Sequence, residues 1–321
     1  MISSARRPQF SAAERRPILV AGNNGQLARC LVEQALARDV QLIAFGRPQL
    51  DLTNPESIEH VVAAVQPRAI VNAAACTAVD RAEAEPRFAF AVNCDGAGRL
   101  AAAAARLRVP FIHISTDYVF DGSKEGPYRE ADIPLPVNAY GRSKLEGETA
   151  VLDAYSAALV LRTSWLFSRW GHNFLKMMLS LAENGHVIRV VNDQRGTPTS
   201  GYDLAGAILD LETKMNENKD QAGIYHLAAA GETTWHGFAA AILAGWARRG
   251  RPVPALKAIA TSDDGRTARR PANSCLDCAK INRIFGIRLP SWQACLDATL
   301  DASISARAES IGQQGEKLSP H

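Results

Sequence analysis

The 321-residue sequence lacks any uninterrupted apolar run near the length, about 18 residues, that spans a bilayer, which argues against a membrane partner. It also lacks net charge. The balance of 36 Lys and Arg against 33 Asp and Glu leaves only +3, too little to point to nucleic acid or an anionic surface. A disulfide framework is missing too: Cys30, Cys76, Cys94, Cys275, Cys278 and Cys295 are scattered through apolar or helical patterns, so a reducing cytoplasm is the expected compartment. Cys275 and Cys278 form a lone C-x-x-C with no second pair at zinc spacing and no thioredoxin-like βαβ start nearby, so no metal is assigned. Residues 1–16 carry Arg6, Arg7, Arg15 and Arg16 against Glu14 without an apolar h-region. They read as a disordered extension, with a transit peptide as the alternative, and not as a secretory signal. There is no internal repeat, and the alanines at 101–105 are the only low-complexity tract.

What remains is the composition of a soluble enzyme, 47% hydrophobic and 21% charged, long enough for one large α/β domain or two smaller ones. Residues 17–21 form a short apolar strand, followed by Gly22-Asn23-Asn24-Gly25-Gln26-Leu27-Ala28 and a helical pattern through Leu31, Ala35 and Leu36. Strand, glycine turn and helix in that order make a dinucleotide-binding start, in which Gly22 permits the turn and Gly25 admits the pyrophosphate to the helix N-terminus. Asn24, Gln26 and Leu27 complete that loop.

A second strand at 40–45 ends in Gly46-Arg47, where an NAD-selective fold usually places an acid on the ribose 2′-hydroxyl. An arginine there suits a 2′-phosphate, so NADPH is the expected cofactor and NADH the alternative; a surface arginine without ligand is the bland reading. Residues 49–52 are expected to form a third strand, with Asp51 and Leu52 at the adenine edge. A fourth at 69–72 leads into Ala73-Ala74-Ala75, small residues that let the backbone approach a flat ligand.

A solvated helix at 80–86 and a long one at 89–106 precede a buried strand at 109–115, after which Thr116 falls at the ligand-binding edge of the sheet. Asn138 is a good N-cap, so Tyr140 and Lys144 should share one helical face four residues apart. An ammonium beside a phenol is expected to lower the phenol's pKa, and a shift of about three units needs roughly 4 kcal/mol, within reach of one cation in a partly dry site. Thr116, Tyr140 and Lys144 are therefore the candidate catalytic set for proton-coupled hydride transfer. A Tyr four residues before a Lys is common on helix surfaces, and only the glycine loop upstream lifts this pair above that reading. Further strands are expected at 158–163, 187–191 and 223–228 and helices at 174–181 and 235–249, with polar turns at 192–200 and 269–274. Arg195 and Arg270 in those turns are candidates for sugar hydroxyls and diphosphate, or else surface charges.

Five stretches together resemble the extended short-chain dehydrogenase/reductases, and within them the dTDP-4-dehydrorhamnose reductases. They are Asn72-Ala73-Ala74-Ala75 with Thr77-Ala78-Val79-Asp80, Ser115-Thr116-Asp117-Tyr118-Val119-Phe120, Tyr140-Gly141-Arg142-Ser143-Lys144, Arg162-Thr163-Ser164-Trp165 and Arg270-Pro271-Ala272-Asn273-Ser274. The likeness runs from about residue 18 to about residue 300. It implies a doubly wound Rossmann-type parallel sheet with a smaller C-terminal α/β substrate lobe, and reduction of a nucleotide-linked 6-deoxy-4-keto-hexose. It implies that Asp117, Tyr118 and Trp165 lie along the sugar, and Asn173 joins Arg270 as a substrate-binding candidate. A nucleotide sugar is thus the expected partner, with a homodimer open. Three positions depart from the family: Ala28 for a common Gly, Cys76 for a common Tyr, and Cys30 where some members have a Glu that helps bind magnesium between subunits. The expected division is a Rossmann domain at 17–168 with part of 196–228 returning to it, a substrate lobe at 169–305, and a disordered tail at 306–321. An epimerase or dehydratase of the same fold, or a non-catalytic regulatory subunit, is the rival reading.

Overall fold

The structure, a computed structural model, describes residues 16–217 and 221–316, so the expected extension at 1–16 lies, all but Arg16, outside the described residues. Its strands run β1 (Ile18–Ala21), β2 (Leu42–Phe45), β3 (Ala69–Asn72), β4 (Phe111–Thr116), β5 (Leu159–Thr163), β6 (Leu166–Phe167), β7 (Ile188–Val191), β8 (Arg195–Gly196), β9 (Thr199–Ser200), β10 (Gly223–His226), β11 (Thr233–Thr234) and β12 (Leu256–Ile259). Six of them make one parallel sheet in the order β10-β5-β4-β3-β1-β2. Alternation along β1 sends Ile18 and Val20 into one apolar core and Leu19 and Ala21 into another, as a sheet covered on both faces requires. The chain leaves β1 toward β2 and resumes on the other side at β3. A crevice therefore opens between the carboxyl ends of β1 and β3.

The helices are α1 (Gln26–Ala37), α2 (Pro55–Val65), α3 (Val79–Ala84), α4 (Pro86–Phe90), α5 (Ala97–Leu107), α6 (Ala139–Ala154), α7 (Phe174–Glu183), α8 (Gly201–Glu217), α9 (Trp235–Arg248), α10 (Ala279–Phe285) and α11 (Trp292–Glu316). Residues of α1 and α8 cover one face of the sheet, those of α2 and α5 the other. A separate core holds α7, α9 and α11 together around Phe238, Trp246, Trp292 and Leu300, with β7 beside it. Among the described residues no helix is long and apolar enough to cross a membrane.

Three expectations are corrected. Residues 49–52 form no strand: Asp51 Oδ1 accepts from the Thr53 amide at 2.9 Å and Asn54 caps α2, so side chains bend the chain into a helix where a ladder would need it extended. Leu50 and Leu52 stay buried against Ile58 and Val61 all the same. The long helix at 89–106 is broken by a π-turn, Ala91–Gly96, which carries Asn93 to the Cys76 backbone and to Ser143. The chain past 305 is helical as far as Glu316, with no proline before 320 to interrupt α11; residues 317–321 lie outside the described residues.

Candidate active site

A cleft of about 1100 Å³ opens at the crevice between β1 and β3. Gly22, Asn24, Gly25, Gln26, Leu27, Arg47, Asp51, Leu52, Ala73, Ala74 and Ala75 line one wall, and Thr116, Asp117, Tyr140, Lys144 and Trp165 the other. Gly22 sits at φ +102°, and a Cβ there would come within 3.2 Å of the Ala74 backbone. Gly25 is different. Its φ is an ordinary −68° and a Cβ would meet nothing within 4 Å, so this glycine clears space toward the cleft. It also caps α1 without a side-chain hydrogen bond, which leaves the first-turn amides available to an anion. The Gln26 side chain is committed elsewhere, donating to the Leu166 carbonyl at 3.2 Å and accepting from Ser168 at 3.2 Å. Only its backbone serves the loop.

Arg47 is exposed at the rim, 5.9 Å above the Phe88 ring, and Arg81 lies 5.0 Å from the same ring. Two orphaned polar atoms face the opposite wall: Asp117 Oδ2 and Thr163 Oγ1 are buried without hydrogen-bond partners. Uncapped amides, rim cations and unpaired acceptors fit an anionic, hydroxyl-rich dinucleotide and its substrate.

Thr116 ends β4, and Asn138 caps the helix that presents Tyr140 and Lys144, accepting from the Gly141 amide at 2.8 Å. The Tyr140 phenol faces the Thr116 hydroxyl, and Thr116 Oγ1 in turn donates to Asp117 Oδ1 at 3.1 Å and accepts from the Tyr118 amide at 3.2 Å. The expected lowering of the phenol is corrected: burial pushes Tyr140 above its ordinary value, with the Thr116 hydroxyl pulling the other way. The Lys144 head is turned from it, donating to the Ile114 carbonyl at 2.7 Å and lying 3.2 Å from His113 Nε2. Burial brings Lys144 down to about 8, opposed by Glu148 one turn along α6. Burial lifts Asp117 to about 7, opposed by the hydroxyls of Ser274 and Thr116.

Trp165 sits on the cleft wall at φ +45°, rare for a bulky residue, with its ring stacked 3.6 Å from Trp235. Tyr118 packs edge-on against Tyr140 at 5.6 Å. Tyr118, Asn173 and Arg270 are not among the residues that line the cleft. Asn173 caps α7 and donates to the Ser168 and Trp170 carbonyls, while Arg270 pairs with Asp80 at 2.8 Å and with the Ala268 carbonyl. Arg195 lies 3.6 Å from Glu232.

Sequence reasoning missed the layer beneath. Glu148 accepts from two Arg162 nitrogens, Nε at 2.8 Å and Nη2 at 2.6 Å, and from the Ser115 hydroxyl at 2.5 Å, all buried. Behind them Arg162 Nη1 lies 3.4 Å from His226 Nε2. The signal was there in part: Arg162, His113 and His226 are polar residues in otherwise apolar strands, where an unpaired polar group is costly. The six cysteines, Cys275 and Cys278 included, are free.

The family model described as the RmlD substrate binding domain matches residues 15–304. A curated dTDP-4-dehydrorhamnose reductase of Sinorhizobium fredii is 46% identical over 279 residues, covering 86% of this chain and 94% of that protein. The protein of the same name from Escherichia coli K12 is 39% identical over 297 residues, covering 91% and 99%. Among solved structures, a dTDP-4-dehydrorhamnose reductase of Bacillus anthracis in complex with NADP superposes with a TM-score of 0.83 at 32% identity, covering 89% of this chain and 99% of that one.

Proposed function

The chain belongs to the RmlD substrate binding domain family, and from that premise we infer that it is an NADPH-dependent oxidoreductase that reduces dTDP-4-dehydro-L-rhamnose to dTDP-L-rhamnose. The observation that carries the chemistry is the Tyr140 phenol facing the Thr116 hydroxyl in the cleft, with Lys144 one helical turn away. The cofactor, when bound, supplies the hydride that the 4-keto carbon receives. The glycine loop and the α1 N-terminus would hold its diphosphate, Arg47 its 2′-phosphate, Ala73 to Ala75 its flat faces and Lys144 a ribose hydroxyl. Thr116 holds the carbonyl oxygen by hydrogen bond. Tyr140, kept protonated by burial, gives its proton to the forming alkoxide, a far stronger base than phenolate. Asp117 and Trp165 bound the sugar, and the unpaired Asp117 oxygen takes one of its hydroxyls. Unpaired cysteines support a cytoplasmic setting.

The test is NADPH oxidation against a panel of dTDP-, GDP- and CDP-linked 4-keto-6-deoxy sugars. Stoichiometric consumption with the dTDP-linked substrate is expected, whereas an epimerase or dehydratase would regenerate its cofactor. Tyr140→Phe should bind NADPH normally and lose about 10²- to 10⁴-fold in turnover. Turnover near that of the parent would remove the acid assignment.

A further inference from the structure

Below the cleft three buried side chains from three elements meet in line: Asn72 at the end of β3, His113 in β4 and Lys144 in α6. Asn72 Nδ2 lies 3.1 Å from His113 Nδ1, and His113 Nε2 lies 3.2 Å from Lys144 Nζ. At the outer end Asn72 Oδ1 accepts from the Ala74 amide at 3.2 Å, and Ala74 lines the cleft. The other charged or titratable groups near Lys144 are Tyr140 and Glu148, one turn to either side on α6, and Glu148 is itself paired with Arg162 of β5.

Counting hydrogens along this line restricts its states. Burial and the neighbouring Lys144 hold His113 well below its ordinary pKa, so the imidazole is neutral and carries a single N–H. An ammonium only donates, so Nε2 facing it must accept. Nδ1 then bears the hydrogen and needs the Asn72 carboxamide oxygen, which turns the amide over and releases the Ala74 N–H to the cleft. The other arrangement has Asn72 Nδ2 donating to Nδ1 and Nε2–H donating to a neutral Lys144 amine. It keeps the Ala74 N–H on Asn72 Oδ1.

We propose that Asn72 and His113 are positioning residues that couple the proton on Lys144 to occupancy of the cleft at Ala74. A ligand acceptor that takes the Ala74 N–H frees Asn72 to turn, and the turned amide selects the imidazole tautomer that accepts from an ammonium. One proton enters from solvent, the ring hydrogen passes from Nε2 to Nδ1 in the net change, and no other group alters its charge. Because Lys144 titrates at about 8, both arrangements are populated near neutrality. The coupling rests on the role given to Lys144 in the reductase reading.

Calorimetry of NADPH binding to the full chain, in buffers of different ionisation enthalpy, reads the proton without turnover. Near pH 8 the parent protein should take up about half a proton, since a group at its pKa is half protonated. Asn72→Asp, isosteric and acceptor-only, should abolish the uptake and move the alkaline limb of kcat up by about one pH unit. His113→Phe removes the acceptor and should move that limb down by a similar amount, about one pH unit. His113→Gln, whose amide oxygen can accept from the ammonium, should restore the limb without restoring the uptake. If His113→Phe fails to fold in a thermal melt, the uptake of Asn72→Asp and His113→Gln decides. Undiminished uptake in Asn72→Asp, or limbs that move the same way in Asn72→Asp and His113→Phe, overturns the coupling while the reductase reading stands. No NADPH binding by the parent protein overturns both.

Discussion

The two walls of the cleft are built on opposite terms. On the nucleotide wall Gly22, Gly25, Ala73, Ala74 and Ala75 offer backbone and little else, and the positive φ of Gly22 is one that glycine adopts freely. On the sugar wall every titratable group is displaced from its ordinary acidity by burial: Asp117 up to about 7, Lys144 down to about 8, Tyr140 upward. Trp165 adds a left-handed backbone at φ +45°. Recognition through amides costs the fold little, whereas keeping polar groups dry for proton chemistry is a standing charge on stability. Substitutions that sort cleanly by wall would sharpen this contrast, and ones that do not would break it.

The largest effect is expected from the support behind the sugar wall. The Glu148–Arg162 pair is 2% and 1% exposed, and Glu148→Gln leaves Arg162 buried without a counter-charge, a loss of about 3 to 5 kcal/mol. Urea unfolding measures it; a loss below about 1 kcal/mol, as for exposed pairs, would mean that the wall does not depend on this network.

Asp117→Asn should have the opposite sign. Below pH 3.8 the carboxyl is protonated in both folded and unfolded chains and the substitution changes nothing. Between 3.8 and about 7 the folded state binds more protons, so the parent protein loses stability as pH rises through that window. The variant escapes the loss, and its advantage should grow to a plateau above pH 7 with a ceiling near 4 kcal/mol. Turnover should fall in the same variant. Melting curves from pH 4 to 8 decide the matter: an advantage that is flat with pH would show that Asp117 is not held out of its ordinary range.

The same contrast governs how much could be read from the chain. β1, β3, β4, β5 and the Asn138-capped α6 are legible because strand apolarity, a glycine turn and an N-cap are local signals, and they carry Gly22, Gly25, Thr116, Tyr140 and Lys144 to one cleft. What escaped depends on partners remote in sequence. Arg270 reads as a free cation until Asp80, 190 residues earlier, claims it. The π-turn exists where Asn93 bridges the Cys76 backbone and Ser143, and no periodicity announces such a bridge. The Tyr140–Lys144 spacing implies contact, yet the lysine head donates to the Ile114 carbonyl and lies beside His113, both in β4.

The smallest effect belongs to the nucleotide wall. Arg47 is exposed and its guanidinium lies over Phe88, so Arg47→Ala removes no buried partner and should leave stability within about 0.5 kcal/mol. If the guanidinium takes a 2′-phosphate, NADPH affinity should fall about tenfold, roughly 1.4 kcal/mol, while NADH affinity is unchanged. Titration calorimetry with both cofactors separates that outcome from a general loss. An equal fall for NADH would move Arg47 from the 2′-phosphate to a contact common to both cofactors, and a fall in stability would mean that side chains of this wall also support the fold.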